Sequence, residues 1–281
     1  MERQSRFLSW FVVGTLVCIG AGAVAAAQQA QQSQQGARRP PTAADWARVA
    51  TLPDFTGVWE IAFGPPPRGA AGRGADATAR GRGRGFAGPS LTPEYAARKQ
   101  AFDAHPPEDS ESANCLPPGM PGIMSQPYPM EFLLTPGQVT IVIEAYTQVR
   151  HIYTDGRPLP EDPDLTFHGT SVGHWEGDTL IVDTAGFSPL TLVERGVPHG
   201  DKMRIHERFR LSDPDTMTIE TTIVDPTVLT TPYISNRTLK RHRNWTIAEY
   251  VCEENNRNSV DANGKAGVNL TGPGGSPTKK D

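Results

Sequence analysis

The sequence predicts an all-β protein: an antiparallel up-and-down barrel with one short helix and disordered flanks. Three observations predict it. Runs of β-branched and apolar residues recur from Met130 onward, and such residues fit a pleated, half-buried surface. Turn-forming residues separate the runs at short intervals, which joins neighbours as hairpins. Glycine and proline number 28 and 26 among 281 residues, too many for a helical bundle.

The elements follow in order. Asp54–Ile61 is a first strand, detached from the rest by a Gly/Arg-rich insertion. Thr92–Ala104 is the one clear helix, because Thr92-Pro93-Glu94 offers an N-cap with proline at the first helical position. Met130–Leu134 and Gln138–Ala145 flank the turn Thr135-Pro136-Gly137. Tyr146–Tyr153 continues as another strand and ends at Thr154-Asp155-Gly156. Ser171–Trp175 and Thr179–Thr184 flank Glu176-Gly177-Asp178. Met203–Leu211 and Met217–Val224 flank Asp213-Pro214-Asp215, and Leu229–Arg241 is the last strand. Consecutive strands joined this way curl into a barrel.

The ends of the chain read differently. Residues 1–25 carry Arg3 and Arg6, an apolar stretch and small residues around Ala23-Val24-Ala25, the pattern of a cleaved signal peptide. An uncleaved apolar anchor is the alternative. Residues 26–50 read as a disordered leader, 65–90 as a flexible insertion and 259–281 as a disordered tail, around one domain at 51–258. Export, to the periplasm or beyond, is the expected localisation, with no stable membrane insertion after cleavage. Loss of Cys18 with the signal leaves Cys115 and Cys252, an even pair expected to form a disulfide in an oxidising compartment. Two buried free thiols are the alternative.

Composition excludes several functions. A net charge of −4 disfavours a nucleic-acid partner held by phosphate contacts. Three cysteines exclude a four-thiolate zinc site, and the histidines lack metal-ligand spacing, so no metal is expected. No nucleophile elbow and no phosphate-cradling loop appears, so no cofactor is expected.

Gly57-Val58-Trp59 opens the first strand. Lipocalin-like barrels carry such a Gly-x-Trp, with the Trp closing one barrel end beneath an Arg from a late strand; Arg241 or Arg243 fits that role. Further segments extend the likeness: Cys115-Leu116-Pro117-Pro118-Gly119, Pro127-Tyr128-Pro129-Met130-Glu131, Tyr153-Thr154-Asp155-Gly156-Arg157-Pro158, Gly173-His174-Trp175-Glu176-Gly177-Asp178-Thr179-Leu180, Pro198-His199-Gly200-Asp201 and Glu207-Arg208-Phe209. Together they resemble a large family of exported bacterial proteins with lipocalin-like (calycin-type) barrels. The resemblance implies an association with opening cyclic aryl ethers of lignin-derived dimers such as phenylcoumarans, and it brings no residue roles.

Candidate chemistry comes from polar residues on the strands and in the loops at the barrel mouths. Along Gln138–Ile152 one face reads Thr140, Val142, Glu144, Tyr146, Gln148, Arg150, and alternation alone does not say whether that face points inward. Glu144 and Arg150 on it form a candidate acid with its charge partner; an exposed cross-strand pair worth about 0–1 kcal/mol is the alternative. Asp183 alternates with Ile181 and is a candidate desolvated acid or base; a strand-end Asp bonded to the next loop is the alternative. His168 and His199 lie in bent loop segments and are candidate general acid–base groups, or else solvated surface residues. Tyr128, Tyr146 and Trp175 are candidate walls of an aromatic pocket, with Arg150 or Tyr146 to stabilise phenolate charge; ordinary barrel core is the alternative.

The catalytic candidates are therefore Asp183, Glu144, His199 and His168, and the binding candidates Arg150, Tyr146, Tyr128 and Trp175. Two functions compete: a lyase or isomerase using acid–base chemistry on a small aromatic molecule, and a carrier of an apolar ligand that does no chemistry. A surface-interaction protein using its low-complexity segments is a third reading. The expected partner is a small aromatic or apolar molecule.

Overall fold

The computed structural model describes residues 39–62, 88–105 and 115–252. The expected signal peptide, the C-terminal tail and most of the Gly/Arg insertion lie outside the described residues. The chain divides into two compact units, residues 1–43 and 44–281, and the barrel lies in the second. Part of the expected disordered leader is in fact helical: α1 covers Ala43–Val49, with Asp45 paired to Arg48 one turn on.

The strands are β1 (Gly57–Ile61), β2 (Met130–Thr135), β3 (Gln138–Ile143), β4 (Gln148–Tyr153), β5 (Thr170–Glu176), β6 (Thr179–Ala185), β7 (Leu192–Glu194), β8 (Val197–Pro198), β9 (Arg204–Asp213), β10 (Thr216–Val224) and β11 (Tyr233–His242). β7 and β8, which the sequence reading did not anticipate, form a small separate sheet. The other nine close a barrel in chain order, and β11 pairs back onto β1. α2 runs Pro93–Ala104, with proline at its start as expected. The Thr92 hydroxyl does not cap it but donates to the Thr227 carbonyl at 3.2 Å.

The barrel is mixed rather than antiparallel. Directions cannot alternate all the way round a closed ring of nine strands, so at least one neighbouring pair must be parallel. That pair is β4 and β5, registered only at Ile152–Ser171 and Tyr153–Val172. A parallel pair needs a long crossover connection, and residues 154–169 supply it. Gly173 keeps this seam tight, since a Cβ there would stand 3.0 Å from the Ile152 Cγ2 and 2.9 Å from the Ile181 carbonyl oxygen.

Pairing registers define two ends. End A holds the β2–β3, β5–β6 and β9–β10 hairpins and the start of β1. End B holds the β3–β4 turn, the start of β11 and the loops around β7, β8 and residues 225–232. End A is sealed. Trp59 is fully buried, its indole N–H donates to the Phe55 carbonyl at 2.9 Å, and the Arg241 guanidinium lies 4.5 Å over its ring. Arg241 thus fills the role anticipated for a late-strand arginine. Its charge is met by Asp54 at 2.8 Å.

Candidate functional site

Side chains alternate across a strand, so the registers fix which residues enter the barrel. Toward end A the inward residues are Trp59, Leu180, Phe209, Met217 and Leu239, all fully buried and mostly aliphatic or aromatic. Toward end B the same strands turn Arg150, Ser171, Thr184, Glu207, Thr221, Ser235 and Arg237 inward. Apart from Arg241 over Trp59, the inward polar residues lie in the end-B half.

At the centre of that half is a buried ion pair. Arg150 and Glu207 are both fully buried and meet through two bonds, Nη1 to Oε1 at 3.2 Å and Nη2 to Oε2. The Arg150 Nη2 also donates to the Thr184 Oγ1 at 3.1 Å and the Ser171 Oγ at 3.2 Å. The two hydroxyls lie 2.9 Å apart. A buried pair is tolerable only when the remaining donors find acceptors as well, and these do. The pair forms a charge-neutral scaffold with no group spare for a ligand.

Arg237 stands apart from it. Its Nη2 donates to the Ser125 Oγ at 2.5 Å, and its Nη1 reaches the Ser235 Oγ at 3.3 Å and the Thr221 Oγ1 at 3.5 Å. Among the described residues no carboxylate pairs with it. Burial pulls this guanidinium below its ordinary pKa, opposed by the nearby Glu207 and Tyr233.

His168 lies at the β4–β5 seam. The Gln148 Nε2 donates to the Tyr146 carbonyl at 2.9 Å, which turns the Gln148 Oε1 toward the His168 Nε2 at 3.0 Å. A carbonyl oxygen only accepts, so the His168 Nε2 carries the hydrogen and Nδ1 holds the bare lone pair in the neutral ring. That Nδ1 is buried without a partner. Burial first, then the Arg150 charge, pulls the His168 pKa down to about 4. At neutral pH the ring is an uncharged acceptor awaiting a proton or a donor.

Three tyrosines gather beside it. Tyr250 packs on Tyr128 and on Tyr146, each at 5.4 Å between ring centroids. Burial raises the Tyr146 and Tyr250 pKa values, and Tyr128 adds to both. Tyr146 and Thr147 have φ of 57° and 50°, left-handed backbone uncommon for residues other than glycine. Such strain persists only where the surroundings hold it. Here the Thr147 hydroxyl donates to the Tyr250 carbonyl at 2.9 Å. The expected disulfide is formed: Cys115 and Cys252, 5.7 Å apart at Cα, fasten the chain just beyond Tyr250.

Not every candidate converges here. His168, Tyr146, Tyr128 and Arg150 do, at end B. Glu144 does not share a strand face with Arg150, because a 3-10 turn at Ala145–Thr147 interrupts the strand and resets the alternation. Its Oε2 accepts from the Ala248 N–H at 3.0 Å, holding the C-terminal segment. Asp183 points outward rather than inward, because it is Val182 and Thr184 that register with the inward Glu207 and Ile205. On the outer wall the His206 Nδ1 lies 2.9 Å from its Oδ1, beside an open pocket of about 280 Å³ shared with Leu159, Val172, Arg204 and Val224. Both ring nitrogens of His199 face backbone carbonyls, those of Gly200 and Ser188, at 2.8 Å each, so it braces two loops. Trp175 packs against Phe55 at 5.0 Å, at end A, away from the tyrosines.

Glu207, Arg237 and Gln148 were not among the site candidates drawn from the sequence. A signal for two of them exists: Ile205-Glu207-Phe209 and Ser235-Arg237-Leu239 each place a charge at an inward position of a strand. Among the described residues no cluster of three or more His, Cys, Asp and Glu is placed to hold a metal ion. Comparison with known proteins finds no family model that matches the chain and no match among curated proteins.

Proposed function

We propose that this chain is an exported, lipocalin-like barrel that takes a small aromatic molecule at end B and moves a proton on it. The observation that carries the reading is the buried, bare Nδ1 of His168, joined through Gln148 to Tyr146 of a three-tyrosine cluster. Lipocalin likeness is supported by Trp59 beneath Arg241, and export by the Cys115–Cys252 disulfide.

Opening of a cyclic aryl ether is the concrete reaction. The His168 Nδ1 takes a proton from the carbon next to the ether carbon, and the C–H electron pair becomes a C=C bond. The carbon–oxygen bond breaks, with its pair going to the aryl oxygen. The proton held on His168 then passes to that phenolate, so the product has the mass of the substrate. A low resting pKa keeps the lone pair free at neutral pH. Negative charge growing on the oxygen raises that pKa as the proton arrives.

A carrier is the second reading, favoured by one observation. Arg150 and Glu207 already satisfy each other, and the His168 lone pair serves equally as acceptor for a phenol hydroxyl. Incubation of the oxidised full chain with a mixture of lignin-derived dimers separates the two. A product of unchanged mass and altered retention time, lost in His168→Gln, supports the enzyme. A dimer retained unchanged supports the carrier. No product and no retention sinks both.

A further inference from the structure

Arg237 has no carboxylate partner among the described residues, unlike the other inward arginine of the end-B half. Arg150 and Glu207 cancel in a mutual, fully buried pair. The other fully buried carboxylate at this end, Asp225, accepts from the backbone N–H groups of Gly200, Thr227 and Val228 at 2.6 to 3.3 Å, which occupy both its oxygens. Arg237 remains, held by three hydroxyls and met by no carboxylate among the described residues. Hydroxyls satisfy guanidinium hydrogens but supply no counter-charge, and a half-buried cation in a narrow interior gains from one. Elsewhere in the barrel such a cation has a partner: Arg241, equally inward, meets Asp54 at 2.8 Å.

We propose that Arg237 is an anion subsite that takes the carboxylate of an aryl carboxylate ligand, with Ser125 and Ser235 flanking it. The inference rests on end B being the aromatic site and names the chemical class it takes. Two features select a carboxylate. A planar guanidinium meets a planar carboxylate through two parallel bonds. Ser125, which Arg237 bonds, ends the 3-10 turn Gly122–Ser125 three residues before Tyr128, a span of at most about 11 Å of chain, which sets the guanidinium near the tyrosine cluster.

The test is calorimetric titration of the oxidised full chain with 4-hydroxycinnamate and, separately, with its methyl ester, which keeps the ring and removes the charge. Wild type should bind the acid at least tenfold more tightly than the ester, the scale of a charge-assisted pair. Arg237→Gln should bring that ratio close to one while leaving ester affinity in place, and Arg237→Lys should restore part of it. Equal binding of acid and ester by wild type, or a preference that survives Arg237→Gln, overturns the carboxylate subsite and leaves the aromatic site standing. Binding of neither compound overturns both. Ester affinity retained in Arg237→Gln also shows that the variant is folded.

Discussion

At end A the barrel closes on Trp59, whose ring, N–H and overlying Arg241 each have a fixed partner. At end B the strands bury Arg150 and Glu207 and half-bury Arg237, and the loops leave a histidine lone pair with nothing to accept. End A, the plug, also holds buried polar atoms without a hydrogen bond, Asp215 Oδ1, Arg241 Nε and His242 Nε2, but each lies within ion-pair distance of an opposite charge, whereas the His168 Nδ1 has neither. Stable folds satisfy their buried polar groups and depart from that rule mainly where a ligand completes the set. The difference therefore locates function at end B.

The largest effect should come from unbalancing end B. Arg150→Met leaves Glu207 buried without its partner, and breaking such a pair costs about 3–5 kcal/mol. Urea unfolding should show that loss, and the added Glu207→Leu should recover most of it. A loss below about 1 kcal/mol would mean that Arg237 takes over the carboxylate, which would also sink the carboxylate subsite.

Acid should weaken end B next. The folded His168 pKa is about 4 against an ordinary 6.5. Above 6.5 neither state binds the proton and stability is full. As pH falls from 6.5 toward 4 the unfolded ring takes up a proton that the folded ring refuses, so stability is lost. The shift corresponds to roughly 3 kcal/mol across that window. Unfolding of wild type and His168→Gln, measured from pH 7 to 4, should diverge accordingly. Parallel curves would show that Nδ1 reaches water.

Strand alternation made most of this wall legible. Ile205 and Phe209, Met217 and Ile219 alternate onto the inner face, while along Gln138–Ile143 alternation left the face open and the structure turns Val139 and Ile141 inward. Gly57-Val58-Trp59 pointed to the plug. Two things were hidden. One is the parallel β4–β5 pair, which follows from strand number and closure, both global properties. The other is the half-turn at Ala145–Thr147, which broke the apparent pairing of Glu144 with Arg150. Local periodicity holds only while the strand continues.

End A should respond mildly, and in stability alone. Arg241→Met removes a cation over Trp59 and a bond to Asp54 that is open to solvent on the acid's side. A loss of about 2 kcal/mol in unfolding is expected, from one cation–π contact, one partly exposed ion pair and the Arg241 bond to the Asp54 carbonyl. Binding of 4-hydroxycinnamate should not change. A loss of affinity would show that the ends communicate and that the plug shapes the site.

The smallest effect should belong to Asp183, which the sequence made a leading acid–base candidate. Its carboxylate is about half exposed and pairs with an equally exposed His206 on the outer wall. Such pairs are worth about 0–1 kcal/mol, because water screens them and both side chains lose freedom. Asp183→Asn should therefore leave stability within that range and leave turnover and ligand binding at wild-type levels. Substantial loss of turnover would carry the chemistry through the wall to the pocket that Asp183 shares with His206 and Arg204. The contrast between the ends would then be one of stability, and the outer face of β6 and β9 would become the site.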